Sequence, residues 1–243
     1  MKVYGLIGYP LSHSFSKGFF AKKFEQENIA GCIYENFPIP DISDFPALLQ
    51  QHPDLCGLNV TIPYKEVIIP HLDELSKAAG RIGAVNCIRF SNGKKIGYNT
   101  DVIGFKNSLQ PLLQPQHTRA LVLGTGGAAK AVMFSLEELE IPFTIVSRQA
   151  SDSTISYDSL NKDIIATHTL IINTTPLGMY PRVDTAPEIP YQYITSQHLL
   201  YDLVYNPAET LFLQKGAAQG AAIKNGHEML ILQAEASWEI WGQ

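Results

Sequence analysis

The chain is poor in cysteine and has no long apolar run, and each absence excludes a class of protein. Its 243 residues include three cysteines, Cys32, Cys56 and Cys87, which are widely spaced and lie in apolar segments. An odd, scattered set of this kind predicts reduced thiols, no disulfide and a cytoplasmic protein. No apolar run reaches the length of a transmembrane helix, and we expect neither a membrane span nor a secretory signal.

Basic charge is scarce as well, because the formal net charge at pH 7 is −5. Such a chain has no general attraction for nucleic acid or for an anionic membrane surface, so an anionic ligand must be bound by a few local donors. The histidines lack zinc-ligand spacing, and no acidic cluster has a calcium-loop pattern, which predicts no metal site. His13 has no third group that would make it part of a catalytic triad, so we interpret it as structural.

Strand and helix patterns alternate along the whole chain, which predicts an α/β fold. The first hundred residues contain parallel-type strand signals and a hairpin around Asn92-Gly93, so a mixed sheet is expected there. Helices are predicted over residues 42–49 and 72–79, and a connecting helix over 102–113.

A second series of strands and helices begins at Arg119 and predicts a parallel sheet covered on both faces. Residues 227–241 read as an amphipathic terminal helix. We therefore predict two α/β domains, residues 1–103 completed by 227–243, and residues 104–226. The pattern does not distinguish a monomer from a homodimer.

Polar side chains gather in the segment Asn59-Val60-Thr61-Ile62-Pro63-Tyr64-Lys65, at the end of an apolar strand. Asn59 and Thr61 share one face of that strand, and Pro63 is expected to start a short helix that carries Lys65. An amide, a hydroxyl and an amine at one place suit a hydroxyl-rich small molecule, since each unpartnered buried polar group costs about 1–3 kcal/mol. The alternative is an edge strand followed by a solvated lysine.

A glycine-rich turn stands between a buried strand and a helix and contains Gly124, Thr125, Gly126, Gly127 and Ala128. Gly124 permits a tight turn, while Gly126 and Gly127 let backbone amides approach a pyrophosphate. A glycine pattern alone is weak, but strand, loop and helix follow one another here in the order that a dinucleotide site requires.

The residues after the next strand decide which dinucleotide is expected. A site for NAD usually carries an acidic residue there to bind the ribose 2′-hydroxyl. This chain has Ser147 and Arg148 instead, a hydroxyl and a guanidinium that suit a 2′-phosphate. The predicted cofactor is therefore NADP, and the alternative for Arg148 is an ordinary surface arginine.

Two further turns have both a functional and a structural interpretation. Ser14 and Ser16 follow the first strand and could bind a carboxylate, or one of them could cap the next helix. Asp101 could cap the connecting helix, and beside Lys65 it could also tune the proton affinity of that amine.

In this order along the chain, the motifs resemble those of the shikimate dehydrogenase family. The resemblance rests on the Ser14–Ser16 turn, the segment 59–65, Gly83-Ala84-Val85-Asn86, Gly97-Tyr98-Asn99-Thr100-Asp101, the Gly124 loop, and the segments 173–179, 201–207 and 229–234. These motifs run from the first strand to the last helix, so the resemblance covers the chain.

The resemblance implies a set of substrate contacts and a catalytic pair. The carboxylate of shikimate is expected at Ser14 and Ser16, with help from Tyr205. The ring hydroxyls are expected at Asn59, Thr61, Asn86, Asp101 and Gln233. Lys65 and Asp101 would form the catalytic pair.

The resemblance also assigns the two domains and the cofactor contacts. The first domain would bind substrate, the second would be a Rossmann-like NADP-binding domain, and the active site would lie in the cleft. Besides the Gly124 loop, Ser147 and Arg148, the expected cofactor contacts are the backbone around Thr174, Leu203, Gly226 and Met229. The implied reaction is the reversible reduction of 3-dehydroshikimate to shikimate by NADPH, a step in the biosynthesis of aromatic amino acids. The alternatives are a quinate/shikimate dehydrogenase with relaxed cofactor use and a non-catalytic sensor on the same fold.

Overall fold

The computed structural model describes residues 1–12 and 14–242, and its chain divides into two compact units. The first unit consists of Met1–Thr100 and Ala234–Gln243, and the second consists of Asp101–Gln233. His13, which we interpreted as structural from its sequence context, lies outside the described residues. Which unit binds substrate and which binds cofactor stays a prediction, as do the boundaries at residues 103 and 226.

The first unit is built on a mixed sheet. Its elements are β1 (Lys2–Gly8), α1 (Phe15–Gln26), β2 (Cys32–Pro38), α2 (Phe45–Gln51), β3 (Leu55–Val60), β4 (Glu74–Leu75), α3 (Lys77–Ile82), β5 (Cys87–Ser91) and β6 (Lys94–Tyr98). The described strands form a six-stranded sheet in the order β2-β1-β3-β5-β6-β4. Strand β1 pairs in parallel with β2 and β3, whereas β5 runs antiparallel to β3 and β6. The predicted mixed sheet is confirmed.

The second unit is built on a parallel sheet. Its elements are α4 (Asp101–Leu109), β7 (Ala120–Leu123), α5 (Gly127–Glu138), β8 (Phe143–Ser147), β9 (Thr154–Ser156), α6 (Lys162–Thr167), β10 (Leu170–Asn173), β11 (Leu199–Asp202), α7 (Leu211–Ala217), β12 (Ala222–Lys224) and α8 (His227–Trp241), and α8 extends into the first unit. The strand order is β12-β11-β10-β7-β8-β9, and neighbouring strands pair in parallel. This is the order of a dinucleotide-binding fold, in which the strand order reverses between β7 and β10.

Aromatic rings hold the end of α8 in the first unit. Tyr4 stacks on Trp241 with ring centroids 5.0 Å apart and meets Trp238 edge-on at 5.2 Å. The Trp241 indole nitrogen donates to the carbonyl oxygen of Ile88 at 3.0 Å. Buried aromatic pairs add about 0.5–1.5 kcal/mol each beyond the area they bury. The last two turns of α8 are therefore part of the hydrophobic core of this unit.

Three predicted helices differ from those in the structure. No helix begins at Pro63: residues 61–68 form consecutive turns, and Lys65 lies on one of them. The helix predicted over 72–79 is replaced by β4 and α3, because Ser76 caps α3 by accepting a hydrogen bond from the Ala79 N–H. The connecting helix ends at Leu109 rather than Leu113, since Pro111 has no N–H to donate and continues the chain as a short 3₁₀ turn.

The described residues contain neither a membrane span nor a metal site. No helix within residues 1–12 and 14–242 is long and apolar enough to cross a membrane. In the same part of the chain, no three or more His, Cys, Asp or Glu side chains are grouped so that they could bind a metal ion. All three cysteines are free thiols.

Candidate functional site

The turn after β1 presents a serine hydroxyl that no group of the described residues binds. Ser14 occupies the N-cap position of α1, but its side chain makes no capping hydrogen bond. Its Oγ is buried and has no partner among the described residues. Helix capping therefore does not account for Ser14, and a buried hydroxyl of this kind suits a ligand oxygen. Ser16 differs, because its side chain lies near the Tyr34 hydroxyl and partly opposes the rise in pKa that burial causes there.

Buried amides and hydroxyls form a continuous network through the first unit. Asn59 Oδ1 accepts from the Tyr34 hydroxyl at 2.9 Å, and Asn59 Nδ2 donates to Ser237 Oγ at 2.8 Å and to the Asn86 carbonyl at 3.2 Å. Asn86 Oδ1 accepts from the Thr100 N–H at 2.6 Å, and Asn86 Nδ2 donates to Thr100 Oγ1 at 3.0 Å. Asn59 and Asn86, both predicted substrate contacts, are thus brought together. Their direct contact with a ligand stays a prediction.

Thr61 and Lys65 lie on the turns that follow β3. The Thr61 N–H donates to the Ile7 carbonyl at 2.9 Å, and the Lys65 carbonyl accepts from the Val85 N–H at 2.7 Å. Gly8 allows β1 to approach Thr61 closely, since a Cβ on Gly8 would lie 2.4 Å from Thr61 Cγ2. Both side chains are half-buried, so Lys65 is not the fully solvated lysine of the alternative interpretation.

The remaining predicted substrate contacts belong to the second unit. Asp101 is buried and is the first residue of α4. Tyr205 is half-buried, and burial raises the pKa of its hydroxyl. Gln233 is buried, and its Nε2 donates to the Leu230 carbonyl at 2.9 Å, so one hydrogen of this amide is bound by the backbone. The pairing of Lys65 with Asp101 and the ligand contacts of Tyr205 and Gln233 stay predictions.

The glycine loop has the geometry of an anion-binding turn. Gly124 has φ +110°, and a Cβ there would lie 2.7 Å from Thr174 Oγ1. A Cβ on Gly126 would meet nothing within 4 Å, so the space before α5 is open. No side chain caps α5, whose first residues are Gly127 and Ala128, and Thr125 is exposed beside them. The first amides of a helix attract phosphate, and this turn fits a dinucleotide pyrophosphate.

The turn after β10 meets the glycine loop where the strand order reverses. Thr174 Oγ1 donates to the Leu123 carbonyl at 2.7 Å, and its N–H donates to the same oxygen at 3.0 Å. A Cβ on Gly226 would lie 2.1 Å from the Leu203 carbonyl, so glycine is required at position 226. Met229 is buried in the core of the unit, which leaves its backbone rather than its side chain for a cofactor.

Ser147 and Arg148 stand at the carboxyl end of β8, beside a strand that the sequence did not predict. Ser147 aligns with Ser156 of β9, so the two hydroxyl-bearing residues lie next to each other in the parallel register. Arg148 is exposed. Burial raises the pKa of Tyr157, and the nearby charge of Arg148 only partly opposes this rise. The basic group, two serines and a tyrosine hence occupy one end of the sheet.

Several residues of these networks were not predicted from the sequence. Tyr34, Thr100 and Ser237 are buried and link predicted site residues, but Asn59 and Ser237 are 178 positions apart. Asp202 is completely buried and binds the Thr210 hydroxyl at 2.5 Å and the Asn173 amide at 3.0 Å. Only their positions could have indicated these residues. Thr100 and Asp202 lie inside the segments 97–101 and 201–207, and Ser237 follows Gln233 by one helical turn.

The parallel sheet with its glycine turn, together with a unit that carries buried amides and hydroxyls, defines a class: two-unit enzymes that use a dinucleotide. Comparison with known proteins identifies the family. Residues 6–88 match the family model for the shikimate dehydrogenase substrate binding domain. The NADP(+)-dependent shikimate dehydrogenase of Desulforamulus reducens is 36% identical over 99% of this chain and 89% of its own length. That of Methanococcus maripaludis is 37% identical over 99% of this chain and 91% of its own length.

Solved structures agree with the sequence comparison. The crystal structure of shikimate 5-dehydrogenase from Thermus thermophilus, in complex with NADP(H) and shikimate, superposes with a TM-score of 0.88 at 30% identity. The match covers 99% of this chain and 93% of that one. The chain belongs to the shikimate dehydrogenase family.

Proposed function

We propose that this protein is an NADP-dependent shikimate dehydrogenase, which reversibly reduces 3-dehydroshikimate to shikimate in the biosynthesis of aromatic amino acids. The observation that carries the proposal is that the second unit has an uncapped glycine turn where its parallel sheet reverses, while the first unit carries a network of buried polar groups. Relatives with this activity match 98–99% of the chain, which supports the same reaction here.

The first unit is proposed to bind the substrate. Ser14 offers a buried hydroxyl that has no partner in the part of the chain that the structure describes, which suits the substrate carboxylate, and Ser16 lies two residues further on. Thr61 offers an alcohol, and Asn86 offers an amide that can donate to and accept from ring hydroxyls. Asn59 offers the second lone pair of its Oδ1, since both hydrogens of its Nδ2 bind protein groups. Tyr205 and Gln233 of the second unit are proposed to add contacts to the carboxylate and to a ring hydroxyl.

The second unit is proposed to bind NADP. The Gly124 loop and the start of α5 would hold the pyrophosphate, while Ser147 and Arg148 would hold the 2′-phosphate. The backbone around Thr174, Leu203, Gly226 and Met229 would line the nicotinamide end. When bound, the reduced cofactor supplies a hydride.

Lys65 is proposed to move the proton in this reaction. Reduction of a carbonyl leaves an alkoxide, and an ammonium within hydrogen-bond reach of that oxygen can donate the proton that it needs. Asp101 is proposed to orient the Lys65 amine and to stabilise its charged form. The reverse reaction returns the proton to Lys65. The protein is further proposed to act in the cytoplasm, as its free thiols suggest, as a monomer or a homodimer.

A single absorbance assay tests the proposal. Shikimate and NADP are mixed with the protein, and the appearance of NADPH is followed. Turnover with shikimate and NADP is expected, with a lower kcat/KM for quinate and for NAD. Comparable kcat/KM for quinate or for NAD would favour the relaxed enzyme, whereas binding of shikimate without turnover would favour the sensor.

A further inference from the structure

Three buried hydroxyl groups in the first unit connect residues that are proposed to meet the substrate. Tyr34 is 5% exposed, and Thr100 and Ser237 are 0% exposed. We propose that Tyr34 and Ser237 are positioning residues, which fix the orientation of Asn59 and, through Thr100, that of Asn86. This inference rests on the proposed function, because it concerns how the shikimate site is held in shape.

The orientation of Asn59 follows from its neighbours. One of its amide atoms faces the Asn86 carbonyl at 3.2 Å, and a carbonyl oxygen only accepts hydrogen bonds. The nitrogen Nδ2 must therefore face that carbonyl, and its second hydrogen reaches Ser237 Oγ at 2.8 Å. Oδ1 is left to face the Tyr34 hydroxyl at 2.9 Å, so Tyr34 must donate.

The direction of the Tyr34 hydrogen bond has a consequence for the serine turn. Tyr34 has one hydroxyl hydrogen, which goes to Asn59, so a neighbouring hydroxyl such as that of Ser16 can only donate to Tyr34. Burial raises the pKa of Tyr34, which keeps its hydrogen in place at neutral pH. Ser16 therefore lies next to the network, while the Ser14 hydroxyl has no partner among residues 1–12 and 14–242 and can donate to a carboxylate.

On the Nδ2 side of Asn59, the hydroxyls of Ser237 and Thr100 link Asn59 to Asn86 through hydrogen bonds. Ser237 Oγ lies 3.2 Å from Thr100 Oγ1. Thr100 offers its N–H to Asn86 Oδ1 at 2.6 Å and its hydroxyl to the same oxygen at 3.2 Å. Loss of the Tyr34 hydroxyl would leave the buried Asn59 Oδ1 without its donor, and loss of the Ser237 hydroxyl would leave one Asn59 N–H without an acceptor. In either case Asn59 would be held less firmly in its orientation.

Tyr34→Phe tests the inference with little change in packing. The ring of Tyr34 stacks on Phe20 with centroids 4.5 Å apart, and phenylalanine keeps that contact. We expect the shikimate KM to rise about ten-fold, with kcat and the NADP KM changed by less than about three-fold. Ser237→Ala is expected to act in the same direction. Because both variants act on Asn59, the double variant should raise KM by less than the product of the two.

Tyr201→Phe is the matched control. Tyr201 is a fully buried tyrosine of the second unit whose hydroxyl lies 2.6 Å from Ser108 Oγ. It also loses one buried hydroxyl, so its melting temperature should fall as that of Tyr34→Phe does, with the shikimate KM unchanged. Calorimetric titration with shikimate alone gives Kd for each folded variant without any need for turnover.

The outcomes separate the inference from the function on which it rests. If both variants fold and keep the shikimate Kd and KM within about two-fold of the wild type, the inference is overturned and the network is only structural. If Tyr34→Phe does not fold, Ser237→Ala decides by the same measurements. A wild-type protein that neither binds nor oxidises shikimate overturns the proposed function first, and the inference with it.

Discussion

At the scale of single residues, Lys65 is the group with the clearest expected effect. We predict that Lys65→Ala lowers kcat by about 10²–10⁴-fold, because proton transfer to the alkoxide loses its donor. The shikimate KM should change much less, since the hydroxyls and amides of the site remain. Steady-state kinetics test this, with circular dichroism to show that the fold is kept. A variant with near-normal kcat would remove Lys65 from the mechanism.

Asp202 is a buried carboxyl group of the second unit, and its pKa in the folded protein differs from that of an ordinary aspartate. Burial raises its pKa from 3.8 to about 6, and bonds from the Thr210 hydroxyl, the Val204 N–H and the Asn173 amide only partly oppose this. Because the folded pKa is raised, the protonated form stabilises the fold below about pH 4. That contribution is lost as the pH rises to about 6.

We therefore predict a pH dependence that Asp202→Asn removes. Asparagine does not titrate and resembles the protonated acid. As the pH rises from 4 to 7, the Asp202→Asn variant should therefore become more stable relative to the wild type. The shift of about two pKa units corresponds to about 3 kcal/mol. Urea unfolding of both proteins across this range measures the difference. A gap in unfolding free energy that does not change with pH would mean that Asp202 does not titrate as described.

The residues that sequence could identify differ from those that it could not. Ser14, Lys65 and Asp101 stand in short motifs, where neighbouring residues already indicate a strand end or a helix start. Ser237 has no such context, and its role comes from contact with Asn59, 178 positions away. Partners that meet only through tertiary structure leave no local pattern.

At the scale of elements, the turn before α5 allows stability and cofactor binding to be separated. An alanine Cβ at Gly126 would meet nothing within 4 Å, and φ −74° with ψ −179° is open to alanine. We predict that Gly126→Ala keeps its melting temperature within about 2 °C. Its NADP KM should rise about ten-fold or more, because the methyl group occupies the space meant for pyrophosphate.

Gly124→Ala is the contrasting variant. Gly124 has φ +110°, and its Cβ would lie 2.7 Å from Thr174 Oγ1, so alanine should lower stability as well as binding. Thermal unfolding and NADP kinetics on both variants make the test. If Gly126→Ala bound NADP as the wild type does, the pyrophosphate would have to lie elsewhere.

The contact between α4 and α8 depends on another glycine. A Cβ on Gly104 would lie 2.5 Å from the Met229 carbonyl and 3.0 Å from the Gln233 N, so an alanine there would push the two helices apart. We predict that Gly104→Ala lowers the unfolding free energy by about 1–3 kcal/mol. It should also raise the shikimate KM by moving Gln233.

Gly80→Ala serves as the control for this substitution. Gly80 lies inside α3, and a Cβ there would meet nothing within 4 Å. Alanine is the better helix former by about 1 kcal/mol, so this variant should be as stable as the wild type or more so. Equal stability of the two variants, measured in urea, would contradict the close approach of α4 to α8.

Each mispredicted element has its own physical cause. The connecting helix stops at Leu109 because of Pro111, and the helix expected over 72–79 gives way to β4, which pairs with β6. Strand β9 was missed because parallel neighbours usually need a crossover of a dozen or more residues. Here residues 148–153 alone join β8 to β9.

At the scale of the whole molecule, the two sheets and their types followed from the sequence. Alternating strand and helix patterns predicted a mixed sheet and a parallel sheet, and both are present. The family resemblance followed from motifs that keep their order along the chain, and relatives at 36–37% identity confirm it. The division of α8 between the units, after Gln233, could not be predicted, because a single amphipathic pattern runs through the helix.

The most direct test of the central claim follows the hydrogen that is transferred. The wild-type protein is given 3-dehydroshikimate and NADPH that carries deuterium at its transferable position. We expect mass spectrometry to find one deuterium in the shikimate formed, and nuclear magnetic resonance to place it on the carbon bearing the new hydroxyl. Consumption of neither reactant, or shikimate without the label, would contradict the assignment of this chain as a shikimate dehydrogenase that uses NADPH.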